Sequence, residues 1–364
     1  MTQKHTKPKG KKMANIARPS QAKTKSTTKS PSRSTRKKQS SFTAWLSKHR
    51  QPVIVISFAV VFATIGVALL SHSSAAVPGA SGVTYNVWTW NIAGEKINKG
   101  KTTTGVTRTA ANSIVSRDVQ LASFNEICKD QYNDVVKRLK NAKWSNASRF
   151  SYFAMAVKTK SSCRGHGGGN AIFVKAGLSN VTVTKLADDI AKERRNLVCA
   201  MIGKTSDTFC TTHITIQTNL VKLTATDTPQ PANVVQLAQV NAKLEQYYNS
   251  GRRVIIAGDF NSQPSYGRLN GWYAPSVSTP ANGNNSGAYR EIDDLDARCP
   301  GYGERTENTN DKATPCPSGS KIDLIFFREN LVSSYSADAL TISNNCSGRA
   351  CSDHDILTGH VTFK

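Results

Sequence analysis

Six short apolar runs in the C-terminal three quarters of the chain share one feature: each stops at, or starts from, a cluster of polar side chains. VWTWNIAG carries Asn91 near its end, LASFNEIC ends on Asn125 and Glu126, FCTTHIT carries His213, and VIIAGDFN runs into Asp259 and Asn261. SKIDLIFF has Asp323 at its start, and CSDHDILTGHV has Asp353 and His354 just before its apolar part. Runs of this length, rich in β-branched and aromatic residues, read as strands buried in a core. Polar residues at strand ends collect at one edge of that core, so groups distant in sequence can meet. On an extended chain, residues two apart face the same side, so Asp259 and Asn261 can point together.

The surrounding pattern fits a sheet-rich body over residues 83–364. Val83–Ile92 alternates apolar and polar residues and reads as a strand, as do Val119–Glu126, Ala171–Val174, Val181–Leu186, Asn196–Ile202, Thr208–Ile216, Val254–Gly258, Ile322–Phe327 and Ile356–Phe363. Thr102–Arg117, Gln131–Lys140 and Pro231–Tyr248 carry helical spacing, the last with Pro in its first turn. The roughly 60 residues from Asn261 to Lys321 are rich in Gly, Asn, Ser, Pro and Asp. Loops of that length serve binding more often than folding. Many strands, few helices and no regular βα alternation point to an α+β fold, or to a sheet-on-sheet core with helices outside.

Charge separates this body from what precedes it. Residues 1–82 hold 15 of the 48 Lys and Arg and none of the 24 Asp and Glu, which leaves the body with a net charge of +9. Residues 1–50 have almost no large apolar side chains and cannot offset their chain entropy by burial, so a disordered basic tail is expected. Val53–Leu70 is an 18-residue apolar run, about 27 Å long as a helix, inside a charge-free stretch from Gln51 to Gly94. It predicts a transmembrane anchor or signal peptide over 51–71, followed by a linker over 72–82, with the basic tail kept in the cytoplasm and the body exported. Ser74-Ala75-Ala76 offers a cleavage site, but the long leader favours an uncleaved anchor. Export to an oxidising compartment suits the eight cysteines. Chain order pairs Cys199 with Cys210 across a hairpin, Cys299 with Cys316 in the long loop and Cys346 with Cys351 before the SDH motif, leaving Cys128 with Cys163.

The polar inventory is chemically specific. Carboxylates, amides and two histidines without a cysteine cluster at zinc spacing suit a hard divalent cation: Mg2+, with Mn2+ or Ca2+ as alternatives. Histidines beside carboxylates suit proton transfer at phosphate oxygens. Of the four histidines in the body, His166 and His360 lack a motif and read as structural or surface residues. The loop Ser162–Asn170 is glycine-rich but lacks the Gly-Lys-Ser/Thr of a phosphate-binding loop, so a hairpin is expected there. Glu291–Asp296 lacks the glycine and spacing of an EF-hand and reads as an exposed loop.

WNIAG, FNEIC, TTHIT, AGDFNSQPS, KIDLIFF and SDHDIL, in this order across residues 83–364, resemble the endonuclease/exonuclease/phosphatase family. That resemblance implies a four-layer αββα sandwich of two mostly antiparallel sheets and a metal-dependent phosphodiesterase. It implies Glu126 as the principal metal ligand with Asn91 and Asp353, Asp259 to orient or deprotonate the attacking water, and Asn261 to hold the scissile phosphate. His354, oriented by Asp323, would contact a phosphate oxygen and shuttle a proton. His213 would face it as a second acid or phosphate donor. The family's supporting carboxylate for the histidine matched by His213 has no clear counterpart, Glu193 being the nearest guess.

With a basic body, the expectation is a monomeric, membrane-anchored or secreted nuclease acting on DNA, or RNA, outside the cytoplasm, with Arg195 among its phosphate contacts and Arg194–Arg195 as a solvated charge pair the competing reading. A phospholipid, sphingomyelin or inositol-phosphate phosphodiesterase is the alternative within the same fold, with Gly271-Trp272-Tyr273 as the candidate membrane-facing hairpin. A catalytically inactive DNA-binding surface protein is the alternative from another class.

Overall fold

The computed structural model describes residues 82–188, 194–216, 219–222, 228–307, 320–341 and 345–364. The basic tail, the apolar run at 53–70, the Ser74–Ala76 site, the 72–82 linker up to Ser81, Glu193 and Cys316 lie outside them. Among the described residues, no helix is long and apolar enough to cross a membrane.

The chain runs β1 (Thr84–Asn91), α1 (Val106–Ser116), β2 (Leu121–Cys128), α2 (Lys129–Asn141), β3 (Ser151–Val157), β4 (Gly168–Val174), β5 (Leu178–Lys185), β6 (Asn196–Ile202) and β7 (Thr208–His213). It continues through a two-residue ladder of β8 (Leu220–Val221) and β9 (Gln230–Pro231), then α3 (Ala232–Asn249), β10 (Val254–Asp259), β11 (Tyr289–Glu291), β12 (Asp323–Arg328), β13 (Val332–Leu340) and β14 (Ile356–Phe363). The first sheet has the order β13-β14-β1-β2-β4-β3 and the second β11-β12-β10-β7-β6-β5. Each sheet is mixed in the same way. One parallel pair, β1/β2 or β7/β10, lies at its centre, and every other neighbour is antiparallel.

Period-two alternation explains why these strands read as unbroken apolar runs. Val87, Leu121, Ile172, Val198, Phe209, Ile255 and Ile325 pack between the sheets. Their chain neighbours Trp88, Ala122 and Phe173 face outward under α1 and α2, through Val106, Ala110, Ile114, Val135 and Leu139. On the second sheet Ile256, Leu324 and Phe326 face outward against Leu237, Val240 and Leu244 of α3. Strands covered on both faces need apolar residues on both. The result is helix, sheet, sheet, helix, an α+β sandwich. A parallel pair needs a crossover, and α1 and α3 are those crossovers. They bring the C-terminal ends of β1, β2, β7 and β10 to the edge where β12 and β14 begin.

Three disulfides follow the expected order: Cys128–Cys163, Cys199–Cys210 and Cys346–Cys351. Cys199 and Cys210 are register partners of β6 and β7. Cys299 is also bonded. The sequence reading missed β3 and β13, which are sheet-edge strands. In β13 only one face meets the core, so VSSYSADAL reads as polar. The strand expected over Thr208–Ile216 ends as a ladder at His213. α1 starts at Val106, after Gly105 at φ 100°.

Two loop expectations are corrected. Trp272 and Tyr273 are buried against Phe260 and Phe326, so Gly271-Trp272-Tyr273 is no membrane-facing hairpin. Within Glu291–Asp296, Glu291, Asp293 and Asp294 are buried, because cations enter with them. Arg290 pairs with Asp294, and the fully buried Lys321 lies 3.3 Å from Glu291 and 3.1 Å from Asp293. Asp293, Asp296 and Glu304 approach one another, but Lys321 already pairs with Asp293, and Arg298 with Asp296 and Glu304.

Removing one member of a buried ion network leaves uncompensated charge, typically costing about 3–5 kcal/mol. Lys321→Met is therefore expected to lower stability by that order in urea melts. Burial pushes the Glu291 carboxyl above its ordinary range despite Lys321. A carboxylate with a raised folded pKa binds a proton on folding, so it costs stability as pH rises from its unfolded value of 4.5 toward its folded one. Without Lys321 that cost grows, so the deficit should be larger on the alkaline side of this window than on the acid side. A variant as stable as the parent would contradict the role given to Lys321.

Candidate active site

The polar strand tips meet at one edge of the sandwich. Asn91 is the register partner of Asn125, and Asp259 sits between His213 on β7 and Asp323 on β12. Two backbone distortions aim the side chains. The β2/β4 ladder shifts register between Phe124 and Ile127, and Glu126 inside that bulge has φ 54°. Asn261, just past β10, has φ 44°. Left-handed non-glycine residues cost about 1–3 kcal/mol and cluster at functional sites. Gly258 has φ 149°, and a Cβ there would lie 2.1 Å from the Thr212 carbonyl oxygen. Only glycine lets β10 come this close to β7.

Hydrogen bonds fix the cluster. Asn91 Nδ2 donates to Asp259 Oδ2 at 2.9 Å, across the two sheets. The Asn261 backbone N–H donates to Asp259 Oδ1 at 2.9 Å, and one Asn261 amide N–H reaches the Ile214 carbonyl at 2.8 Å. Its second amide N–H remains for a ligand. His354 Nδ1 lies 2.8 Å from Asp323 Oδ2, and His213 Nε2 lies 3.4 Å from Asp259 Oδ2. Ser352 Oγ donates to the Asn91 carbonyl at 2.7 Å and accepts from the His354 backbone N–H at 3.1 Å, which ties the SDH segment to β1. Thr306 Oγ1 accepts from the backbone N–H groups of Ile322 and Asp323, so the long loop holds the start of β12.

Burial and charge sort the ionisable groups. Burial disfavours the charged form of His354, but the Asp323 carboxylate outweighs it, aided by Asp259 and Asp353, and the imidazole is pushed up to about 10. His213 is driven the other way, well below its usual value, by burial and then by Arg195, His354 and Lys160. The site thus holds one imidazolium and one neutral imidazole. Burial, then the Asp323 charge, raises the Asp259 carboxyl above the ordinary range. Glu126 is raised by burial and by Glu95. Asp353 is lowered, because the Lys96 hydrogen bond and the His354 charge overcome its burial.

A hard cation fits this donor set at Glu126. The Glu126 side chain makes no hydrogen bond or ion pair with a described residue, and it is half-buried in the cleft wall. A carboxylate that faces the cleft without a protein partner is free to offer its hard oxygens to a cation. Asn91 and Asp353 share its cleft. Among the described residues, the cluster of acidic and histidine atoms at this edge is a different one: Asp259, Asp323 and His354, within 4.8 Å of one another. In this trio the His354 ring is already hydrogen-bonded to Asp323, whose carboxylate favours the charged imidazole.

The expected residues converge. Asn91, Glu126, Arg195, His213, Asp259, Asn261, Asp353 and His354 line one cleft of about 300 Å³, and Asp323 lies beneath it, fully buried against His354. Arg194 and Arg195 are not a solvated pair: Arg194 is exposed, but Arg195 is buried in the cleft wall. Asp353 reaches the cleft but is held by Lys96 at 2.8 Å. His166 pairs with Asp130 at the surface, and His360 contacts Ser336. Lys96 and Glu307 line the cleft and escaped the sequence reading. A lysine five residues after Asn91 carries no motif, and Glu307 arrives from the long loop.

A model of the endonuclease/exonuclease/phosphatase family matches residues 88–354. Among solved structures, the chain is similar to the human Nocturnin catalytic domain with bound sulfate anion, at 15% identity over 77% of this chain and 94% of that one, with a TM-score of 0.52. An endonuclease/exonuclease/phosphatase from Bacteroides vulgatus is similar at 14% identity over 78% and 100% of the two chains, TM-score 0.50. TDP2 from Caenorhabditis elegans is similar at 13% identity over 77% and 75%, TM-score 0.50. At these identities the likeness is one of fold. No curated protein matches the sequence.

The two histidines should titrate far apart. NMR of the ring protons is expected to show His354 losing its proton near pH 10 and returning toward its ordinary 6.5 in Asp323→Asn. His213 should stay neutral throughout the neutral range. A His354 midpoint unchanged by Asp323→Asn would contradict the pairing.

Proposed function

The chain belongs to the endonuclease/exonuclease/phosphatase family, and from that premise we propose that it is a Mg2+-dependent phosphodiesterase acting as a nuclease on DNA outside the cytoplasm. The observation that carries the reading is the Glu126 carboxylate, without a hydrogen bond or ion pair to a described residue, in one cleft with Asp259 and the His354–Asp323 pair. Glu126, with Asn91 and Asp353 close by, would hold the cation, Mg2+ by its hard-oxygen donors. A bound divalent cation neutralises the negative charge of a phosphate diester.

The remaining chemistry falls to the chain's own groups. Asp259 takes a proton from the attacking water; its two oxygens are fixed by Asn91 and the Asn261 N–H, so the free lone pairs keep a set direction. His354 gives its Nδ1–H to Asp323 and turns its other N–H to the cleft, where a positive ring stabilises charge developing on phosphate oxygens. His213, neutral, adds a donor without a second charge. The spare amide N–H of Asn261 and the Arg195 guanidinium steady the phosphate.

A net charge of +9 on the body supports a polyanionic substrate. The disulfides support an oxidising compartment, and the apolar run at 53–70 supports a membrane anchor, or secretion after cleavage near Ala76. The burial of Trp272 and Tyr273 removes the hairpin that favoured a lipid substrate.

Incubation with plasmid DNA, RNA and sphingomyelin vesicles, each with Mg2+ or EDTA, tests the reading. Cleavage of DNA that EDTA abolishes is expected; cleavage of sphingomyelin alone would overturn the substrate. Asp259→Ala and His354→Ala should each lower turnover by roughly 10²–10⁴-fold while DNA binding persists. Activity should rise with pH as Asp259 ionises, above the ordinary carboxylate range, and fall as His354 deprotonates toward about pH 10. In Asp323→Asn the alkaline limb should move to lower pH.

A further inference from the structure

We propose that Asn125, backed by Asn170 and Asn196, is a positioning residue for the cation site: a strut of buried amides that fixes Glu126 relative to Asp259. The proposal rests on the reading of Glu126 as the cation ligand.

Asn125 is fully buried near the end of β2, in the first sheet, yet its amide works in the second. Its Oδ1 accepts from the Asp259 backbone N–H at 2.7 Å. Its Nδ2 donates to the Thr212 carbonyl of β7 at 3.1 Å and to Asn170 Oδ1 of β4 at 3.0 Å. Asn170 in turn donates to Asn196 Oδ1 of β6 at 3.0 Å. The amides thus bridge the sheets directly below the cleft, at the level where the apolar filling between them stops. Every polar atom of Asn125 is used.

Three details make this more than satisfied burial. The next residue in the chain is Glu126, whose left-handed backbone and bulge need support from outside the ladder. The bulge takes both residues out of pairing with β4, and only Asn125 is then anchored. Opposite it, the position a Cβ of Gly258 would occupy lies 3.1 Å from Asn125 Oδ1, so the missing side chain makes room for the amide to reach the Asp259 N–H. One side chain and one peptide group therefore connect the carboxylate that holds the cation to the carboxylate that receives the proton. Where apolar packing would tolerate sliding of the sheets, directional hydrogen bonds set one spacing.

The test is calorimetric titration of Mg2+ into the full-length, metal-free protein, beside Mg2+-dependent turnover. Outer partners of metal ligands typically contribute roughly 10–100-fold in affinity. Asn125→Ala is expected to weaken Mg2+ binding by that order and to raise the Mg2+ needed for half-maximal turnover equally, while the alkaline limb set by His354 and Asp323 stays in place. Asn170→Ala leaves the bonds of Asn125 to Asp259 and Thr212, so it should shift affinity less, in the same direction. Glu126→Gln should lose Mg2+ binding. A folded Asn125→Ala that binds Mg2+ within about twofold of the parent, while Glu126→Gln does not, would overturn the strut. If Asn125→Ala fails to fold, unchanged affinity in Asn170→Ala would overturn it. Unchanged binding in Glu126→Gln would instead remove the cation reading beneath it.

Discussion

Two carboxylates that face each other across the β10–β12 ladder set the terms for the rest of the site. Asp259 and Asp323 are register partners, and both are buried. Like charges so placed cannot both ionise at neutral pH without nearby cations or donors. His354 supplies the positive charge, Asn91 and the Asn261 backbone supply donors, and each must come from a different part of the chain. The fold is the device that brings them. The two histidines differ for separate reasons: the Asp323 carboxylate overcomes burial and holds His354 as a cation, whereas burial, then Arg195 and His354, hold His213 neutral.

The sheets deliver these groups because each has one parallel pair at its centre. Parallel neighbours end on the same side, so β1 with β2 and β7 with β10 place four C-terminal tips at one edge. Antiparallel β12 and β14 begin where those strands end, and add Asp323 and His354 from the other chain direction. A purely antiparallel sheet would send half of these tips to the far edge. The crossovers that make the parallel pairs also provide the outer helical layers, so the covering of the sheets and the assembly of the cleft have one topological cause.

Much of this was legible because it depends on residue type at strand ends. Asp259, Asn261, Glu126 and His354 each follow or precede an apolar run long enough to be a buried strand, and those runs are the strands found. Layer order was less legible from the residues alone, since a run buried on both faces has no alternation to say which sheet it joins. What escaped was of two kinds. Edge strands such as β13 have only one buried face, so their apolar signal is thin. Residues acting through backbone geometry leave almost no trace: FNEIC contains Asn125 in plain view, but nothing in five letters announces a bulge that turns its amide into the opposite sheet. The buried Lys321 network was missed for a related reason. An acidic string looks solvated until a lysine some 30 residues away is found inside it.

In the proposed arrangement Glu126 would hold a hard cation, apart from Asp259, Asp323 and His354. Anomalous diffraction from crystals soaked in Mn2+ tests it most directly. A peak is expected against the Glu126 carboxylate, within the cleft shared with Asn91 and Asp353. A peak held only by Asp259, Asp323 and His354, or only by Asp293, Asp296 and Glu304, would contradict it.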